Sequence, residues 1–247
     1  MSDGAFADAA AVESSTSSDS LRDRPLPYPL VMEETEIASL KPEQLDGLLN
    51  LGWRHFGRTF FRYSLFVGQA KLRWVQPVRV DLPRCELTAS QRRIRRRNAD
   101  LAVRAGPAVL DAEREAVFRR HRTRFEEDPP PSLAGYLGDD LAAYPCSLVE
   151  ITARLGGRLV AASYLDVGRE CVSSVYAIFE PEFSVRSLGI ATMIWEMDEA
   201  RRRGARYYHP GYAFHDCPSM DYKKQFRASE WFDWQSGWRS LERPQRR

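Results

Sequence analysis

Cysteine is scarce and widely spaced in this chain, and no two cysteines form a C-x-x-C pair. The four are Cys85, Cys146, Cys171 and Cys217. Their spacing argues against a disulfide framework and a cysteine-rich zinc site, and it is typical of a reducing compartment. No apolar run approaches the length of about 18 residues that a transmembrane helix needs. The first residues are acidic and rich in Ser and Ala, which does not predict a signal peptide. We therefore expect a cytoplasmic protein that does not enter a membrane.

An excess of charge of one sign is also missing. The 36 Lys and Arg residues nearly balance the 34 Asp and Glu residues, and the formal net charge is +2. The chain as a whole is no polycation, so local clusters of arginine are more informative than the total. With 247 residues, of which 43% are apolar, the chain is long enough to bury a sizeable core.

The order of predicted elements indicates an α/β (α+β) fold. We predict a disordered tail over residues 1–24, a smaller N-terminal module over 25–105, and a larger domain over 106–247. The module contains a helix at 42–51 and paired strands at 58–67 and 71–80. The larger domain contains helices and a three-stranded antiparallel meander, followed by a turn, a helix and a strand. This order is typical of an acetyltransferase-like (GNAT-type) mixed sheet, which splays at its centre around the donor site.

The turn before the last long helix carries an R-x-x-G-x-A pattern. Such a turn, between a strand and a helix, is how an acetyl-CoA-dependent acyltransferase builds an anion site from backbone N–H groups and the helix N-terminus. We predict that the donor is bound by Arg186, Ser187, Leu188 and Gly189. Gly189 would leave room for a phosphate or carboxylate beside the backbone. An ordinary strand–helix connection is the alternative.

A dense arginine cluster follows a capping-box pattern that begins at Thr88. The capped helix carries Arg92, Arg93, Arg95, Arg96 and Arg97. Their guanidinium groups repel one another unless anions lie nearby, and phosphate matches the planar guanidinium fork well. With Asp100 as the nearest acid in the sequence, we predict that these five residues contact nucleic acid. A solvated basic face is the alternative.

Several motifs in the same order resemble the aminoacyl-tRNA–protein transferases, the arginyl-transferring enzymes and their bacterial leucyl-transferring relatives. Residues 88–101 resemble that family's S-Q-R-R-x-x-R-R-N segment, and residues 77–80 resemble the strand before it. The second half matches at residues 173–176, 187–189, 211–212 and 220–226. The resemblance implies the acetyltransferase-like fold and the transfer of an amino acid from charged tRNA to an acceptor protein's N-terminus, giving an N-degron. It also implies that tRNA is the nucleic acid that the five arginines bind. Typical acceptors of the family begin with an acidic or, for some members, a basic residue.

The chain departs from this family where the family carries cysteines that are thought to hold a metal or iron–sulfur centre. Leu26, Gln69, Leu72 and Val75 stand at those places, and none of them is a thiolate ligand. The crowded loop with His209, His215, Asp216 and Cys217 fits no standard zinc spacing. We therefore expect no bound metal and no cofactor, with aminoacyl-tRNA as the donor substrate.

Peptide-bond formation from an aminoacyl ester needs a neutral amine, a nearby carbonyl and donors for the oxyanion. No Ser-His-Asp or Cys-His spacing demands a covalent intermediate, so we expect catalysis mainly by positioning. The predicted catalytic residues are Tyr176, Tyr222 and Lys223. Packing of the tyrosines and a surface position for the lysine are the alternatives.

Two other functions remain open from the sequence. An acyl-CoA-dependent N-acyltransferase would use the same anion turn for a pyrophosphate, and a non-catalytic module would bind tRNA or protein without transfer. The arginine cluster favours an enzyme that uses aminoacyl-tRNA as its donor, because an enzyme that uses acyl-CoA does not need such a cluster. Near the C-terminus, Trp231, Trp234 and Trp238 recur at helical steps and predict a docking face.

Overall fold

A computed structural model describes residues 28–67, 72–124, 130–215 and 217–241. The predicted tail over residues 1–24 lies outside these ranges, as do Leu26, Gln69 and Asp216. In the described part of the chain, no helix has the length and apolar character that crossing a membrane would require.

The described residues form a mixed α/β structure. Its helices are α1 (Pro42–Asn50), α2 (Ala89–Arg97), α3 (Ala112–Arg122), α4 (Ala134–Leu137) and α5 (Leu188–Arg202). Its strands are β1 (Met32–Glu36), β2 (Arg54–Phe56), β3 (Thr59–Tyr63), β4 (Leu65–Val67), β5 (Leu72–Asp81), β6 (Ala102–Pro107), β7 (Ser147–Leu155), β8 (Arg158–Val167), β9 (Cys171–Phe179), β10 (Tyr207–Phe214), β11 (Ser229–Asp233) and β12 (Gly237–Ser240).

One large sheet dominates the structure, with strand order β12-β11-β5-β10-β9-β8-β7-β6 and with β4 on β5. Neighbouring strands run antiparallel except β9 and β10, which are parallel and are connected through α5. The meander β7-β8-β9 was predicted correctly. Its first turn uses Gly156 and Gly157 at φ values of 56° and 88°, which are the left-handed angles that a type I′ hairpin requires.

The core lies on both faces of the sheet, and β8 shows this most clearly. Tyr164 packs in a cluster with Val117 and Phe118 of α3. The next residue, Leu165, packs in a different cluster with Met193 and other residues of α5. Because successive side chains on a strand point to opposite faces, α3 and α5 cover the two sides of the sheet. This arrangement fixes where α5 begins relative to β9.

The N-terminal strands differ from the prediction. The expected strand over 58–67 is interrupted at Ser64, whose backbone bonds Val31 and Val75. The part before Ser64 joins a three-stranded sheet of order β1-β3-β2, and the short part after it pairs with β5. Strand β5 then lies inside the large sheet, between β11 and β10. The predicted boundary between residues 105 and 106 falls inside β6, so it does not separate two sheets.

The predicted helical face of tryptophans is wrong. Trp231 lies on β11 and Trp238 on β12, in an antiparallel hairpin where Phe232 pairs with Trp238. The tryptophans are three and four residues apart because they lie on and between two strands that are joined by a tight turn. The indole N–H groups of Trp234 and Trp238 donate to the carbonyls of Val75 and Asn50, at 2.9 and 2.8 Å. These residues therefore anchor the hairpin to its neighbours.

Candidate active site

The parallel strands β9 and β10 pair over three positions and then diverge. Tyr207 to His209 pair with Cys171 to Ser173, and the register of β10 against β5 shifts after Tyr208. Pro210 has no N–H group to continue a ladder, and Gly211 has a φ of 100°, which L side chains rarely adopt. The local sequence of β10 thus ends its pairing with β9 in the middle of the sheet.

Arg54 of β2 reaches this point of divergence. Its guanidinium lies 3.4 Å from the Ser173 hydroxyl and 3.3 Å from the Val175 carbonyl oxygen. A Cβ atom on Gly211 would lie 2.8 Å from Nη1 of Arg54. Glycine at position 211 therefore allows the left-handed backbone and leaves space for the guanidinium of Arg54. Arg54 carries no signal in the sequence, because a single arginine in a short strand has no distinctive spacing.

Lys223 approaches the same region from the 3₁₀ helix Pro218–Lys224. Its Nζ donates a hydrogen bond of 2.8 Å to the carbonyl oxygen of Tyr212, in the diverged half of β10. Burial, with the positive charge of Arg54 in support, lowers the pKa of Lys223 to about 7, while Glu196 opposes the shift. A lysine with this pKa is partly neutral at physiological pH, so it can accept a proton.

The two predicted tyrosines lie on different elements. Tyr176 lies on β9 and stacks on Tyr136, with ring centroids 3.8 Å apart. Tyr222 precedes Lys223 in the 3₁₀ helix and packs against the cluster beneath α5. Burial raises the pKa of both phenols, and the two tyrosines lie close enough to interact electrostatically. Both stay protonated at neutral pH, so they can donate hydrogen bonds but cannot act as bases.

A buried carboxylate that sequence reasoning missed lies behind these residues. Glu196 of α5 is fully buried and accepts hydrogen bonds from the hydroxyl groups of Tyr208 and Ser174, the latter at 3.2 Å. Burial raises the pKa of Glu196, while the hydrogen bonds oppose that shift. Glu196 interacts electrostatically with both Arg54 and Lys223, so one carboxyl group lies near two basic side chains. Glu196 is missed because it reads as one polar position of an amphipathic helix.

The predicted anion turn differs in detail from the expectation. It consists of the end of a 3₁₀ helix, Pro181–Arg186, then Ser187 in the left-handed region, then α5, which begins at Leu188. Gly189 is therefore inside the helix, and a Cβ atom there would make an ordinary 3.5 Å contact with Phe179. Leu188 as a whole residue is 1% exposed and packs in the core, so it offers no open surface to a donor.

The arginine helix α2 lies directly beside the anion turn. Asn98, which follows α2, donates to the carbonyl oxygen of Arg186 at 2.9 Å, and Arg97 donates to that of Val185. Arg186 in turn binds Asp100 through both guanidinium nitrogens, at 2.7 and 2.9 Å. The two predicted donor-binding segments therefore share one surface. Asp100 pairs with the turn and does not neutralise the helix.

The arginines of α2 are exposed, as the tRNA-binding prediction requires. The exposed arginines are Arg92, Arg93, Arg95, Arg96 and Arg97. Asp100 is the nearest acid in the sequence, but Arg95 binds both carboxylate oxygens of Asp198 on α5 at 2.7 Å. The pair joins α2 to α5, and it was hidden because Asp198 is 103 residues away in the chain. Capping of α2 by Thr88, with Gln91 in return, was predicted correctly.

The other end of α2 faces the segment that carries Tyr222 and Lys223. Gln91 donates to the carbonyl oxygen of Gln225 at 3.2 Å. A surface cavity of about 560 Å³ lies between them, lined by residues that include Ser90 and Lys224. The arginine helix thus contacts the anion turn at one end and the predicted catalytic segment at the other.

The cysteine-held centre of the resembling family does not fit the residues that the structure describes. Leu72 is 67% exposed and Val75 is 1% exposed, packed with Phe214 and Cys217. Neither side chain has a ligand atom, so these two positions cannot hold such a centre. Of the residues expected in one loop, His209 lies on β10 and packs on the ring of Trp238, and His215 shares a hydrogen bond of 3.0 Å with Tyr28.

Comparison with known proteins gives a consistent result. The family model described as arginine-tRNA-protein transferase, C terminus, matches residues 113–233. An aspartate/glutamate leucyltransferase of Halorhodospira halophila is 37% identical over 172 residues, which cover 68% of this chain and 72% of that protein. A protein of the same name from Chromobacterium violaceum is 29% identical over 201 residues, covering 76% of this chain and 79% of its own.

Solved structures give weaker matches. The structure of L-PGS from Bacillus licheniformis has a TM-score of 0.45 at 13% identity, covering 71% of this chain and 51% of that one. The C-terminal domain of a putative lysylphosphatidylglycerol synthetase from Agrobacterium fabrum has a TM-score of 0.46 at 18% identity, with 71% and 53% covered. These similarities are too low to carry an argument about the site.

Proposed function

The chain belongs to the aminoacyl-tRNA–protein transferase family, and on this premise we propose that it transfers an amino acid from a charged tRNA to the N-terminal amine of an acceptor protein. The product would carry an N-degron. The names of the relatives favour leucine as the amino acid and an acceptor that begins with Asp or Glu. We also assign the sheet to the GNAT type, because β9 and β10 are parallel and diverge at its centre. A cytoplasmic location fits a tRNA donor.

The observation that carries this proposal is the shared surface of α2 and the anion turn. Exposed guanidinium groups on α2 suit a phosphate backbone, and the N-terminus of α5, which lies beside the Arg186–Asp100 pair, suits the tRNA 3′ end. Glu196 lies eight residues into α5 from Leu188, about 12 Å along the helix at 1.5 Å per residue. A single acceptor stem on this surface can therefore place its ester near the divergence of β9 and β10.

The chemistry follows from the protonation states of the residues there. The neutral α-amine of the acceptor attacks the ester carbonyl carbon, a C–N bond forms, and the oxygen becomes an oxyanion. Tyr176 and Tyr222, which stay protonated, stabilise that charge by donating hydrogen bonds. Lys223 in its neutral form accepts the proton that the amine loses, and the proton then passes to the departing ribose oxygen as the C–O bond breaks. Burial and the positive charge of Arg54 favour the neutral form of Lys223 by lowering its pKa, and Glu196 opposes that shift.

The direct test is a transfer assay with defined donors and acceptors. The full chain is incubated with leucyl-tRNA or arginyl-tRNA and with peptides that begin with Asp, Glu, Arg or Lys, and the products are weighed by mass spectrometry. We expect leucine on the Asp and Glu peptides. Transfer of an acyl group from acyl-CoA, with no transfer from any charged tRNA, would instead establish the acyl-CoA alternative. Binding of tRNA without any transfer would support the non-catalytic module.

A further inference from the structure

A second cluster of reactive side chains lies on β2 and its neighbours. His55 of β2, Asp166 of β8 and Cys146, which precedes β7, bring their donor atoms within 4.8 Å of one another. Within the residues that the structure describes, this is the one set of three such ligands close enough to share an ion. His55 is 91 residues from Cys146, so no local motif announces the cluster.

The hydrogen bonds of His55 define which nitrogen faces the carboxylate. Nδ1 lies 2.8 Å from the carbonyl oxygen of Gly57, and because a carbonyl only accepts, Nδ1 carries a proton. Nε2 then faces Oδ2 of Asp166 at 2.9 Å. A bare lone pair and a carboxylate repel at this distance, so a positive species must lie between them. A proton or a metal ion can fill that role.

The surroundings match those of a metal-bound histidine. Ligating histidines donate their other N–H to a backbone carbonyl or a carboxylate, as His55 does to Gly57. Ligating carboxylates are themselves held by hydrogen bonds, and the Tyr144 hydroxyl donates to Oδ1 of Asp166 at 2.8 Å. The ring of Phe60 stacks on His55 with a centroid distance of 4.2 Å, which fixes the ring orientation.

The distances from the Cys146 sulfur to its two neighbours suit zinc. Tetrahedral bonds to sulfur, nitrogen and oxygen place the sulfur about 3.6 Å from the other two ligands and the nitrogen about 3.4 Å from the oxygen. Sγ of Cys146 lies 3.8 Å from Nε2 of His55 and 3.4 Å from Oδ1 of Asp166. Nε2 faces the other oxygen of that carboxylate, Oδ2, at 2.9 Å, so the carboxylate must turn to offer one oxygen to the ion beside both other ligands.

We propose that His55, Cys146 and Asp166 bind one zinc ion that fastens β2 to β7 and β8. The thiolate and the carboxylate balance the two positive charges of the ion. On binding, the thiol proton and any proton on Nε2 pass to solvent. Cys146 is half-buried and gives the ion a route from solvent, whereas His55 and Asp166 are each 2% exposed. These ligands are unrelated to the cysteine positions of the family, so the proposal departs from the expectation of no bound metal, which considered only those positions and the loop with His209, His215, Asp216 and Cys217.

Arg54 precedes His55 on β2 and points into the divergence of β9 and β10. In the ladder, Asp166 stands opposite Ser173, which Arg54 contacts. An ion on His55 and Asp166 would therefore hold β2 at the register that places Arg54. His55 and Asp166 are positioning residues in this scheme, and the zinc ion takes no part in transfer.

The test uses cobalt(II) and zinc(II) with the full-length chain under reducing conditions. We expect about one equivalent of metal and, with cobalt, a near-ultraviolet band from thiolate-to-metal charge transfer. Cys146→Ala removes this band, whereas Cys85→Ala, which changes a buried cysteine outside the cluster, keeps it. Tyr144→Phe lowers the affinity about 10-fold, as expected for a partner that orients a ligand.

Two results would overturn the proposal. The first is a wild-type protein that binds neither metal and shows no thiolate band. The positive species between His55 and Asp166 would then be a proton. The second is a Cys146→Ala protein that keeps the band. Circular dichroism compares the fold of the two alanine variants, and if Cys146→Ala does not fold, the wild-type cobalt titration decides. None of these readouts depends on transfer activity, so they are independent of the proposed function.

Discussion

Substitution of Gly211 by alanine separates backbone strain from the placement of Arg54. Gly211 has a φ of 100°, so any side chain is strained there, and its Cβ atom would lie 2.8 Å from Nη1 of Arg54. The guanidinium is the flexible end of a long side chain, so it moves away at little cost in stability. In moving, it loses its contacts with Ser173 and Val175. The variant should therefore fold but should lack a cation at the diverging strands.

The magnitude of the strain can be measured at a matched position. Gly157, at the tip of the β7–β8 hairpin, has a φ of 88° and nothing within 4 Å of its Cβ position. We expect Gly211→Ala and Gly157→Ala each to lower the free energy of unfolding by about 1 to 3 kcal/mol. Only Gly211→Ala should slow transfer, by about 10-fold or more, which corresponds to about 1.4 kcal/mol of lost transition-state stabilisation.

The assay combines urea unfolding with initial rates of leucyl transfer. A double-mutant cycle with Arg54→Ala completes it, because Gly211→Ala should cost little further activity once the guanidinium is gone. If the two glycine variants transfer equally fast, Gly211 has no role beyond its backbone. If the effects of Gly211→Ala and Arg54→Ala on rate add to within about 0.5 kcal/mol, the two residues act independently and the reasoning fails.

Three other predictions test the proposed roles separately. Lys223→Met should abolish transfer while Lys224→Met does not. Between about pH 7 and pH 10.5 the lysine holds a proton in the unfolded chain but not in the folded protein, so the unfolding free energy of wild type should rise with pH relative to that of Lys223→Met. A difference that does not change with pH would contradict the low pKa of Lys223. Arg93→Ala with Arg96→Ala should weaken tRNA binding and reduce the slope of log affinity against log salt by about 0.7 to 0.9 per lost phosphate contact, and an unchanged slope would remove α2 from the interface. Gly189→Glu should stop transfer while Gly189→Ala and Gly189→Gln keep it, because only the negative charge of glutamate repels the anionic donor. Loss of transfer in all three variants would mean that the size of the side chain, and not its charge, blocks the donor.

The sequence was a good guide to elements whose formation is local. The capping box at Thr88 and Gln91 starts α2, and the pair Gly156-Gly157 closes the β7–β8 hairpin, because both depend on neighbouring residues alone. Ordered motifs also identified the family, since they record the types of residue and their order along the chain. Where a pattern had two local explanations, the choice was less secure. The tryptophan spacing, which fits both a helix and a hairpin, is such a case.

Tertiary structure decided which distant residues meet, and that determines the candidate site. Arg54 and Gly211 come together because β2 crosses the end of the β9–β10 pairing, and Asp198 reaches Arg95 because α5 packs beside α2. Burial likewise sets the protonation of Lys223, which its neighbours in the chain do not reveal. A linear sequence specifies residue types and short-range geometry. Long-range proximity and desolvation arise only when the sheet has formed around them.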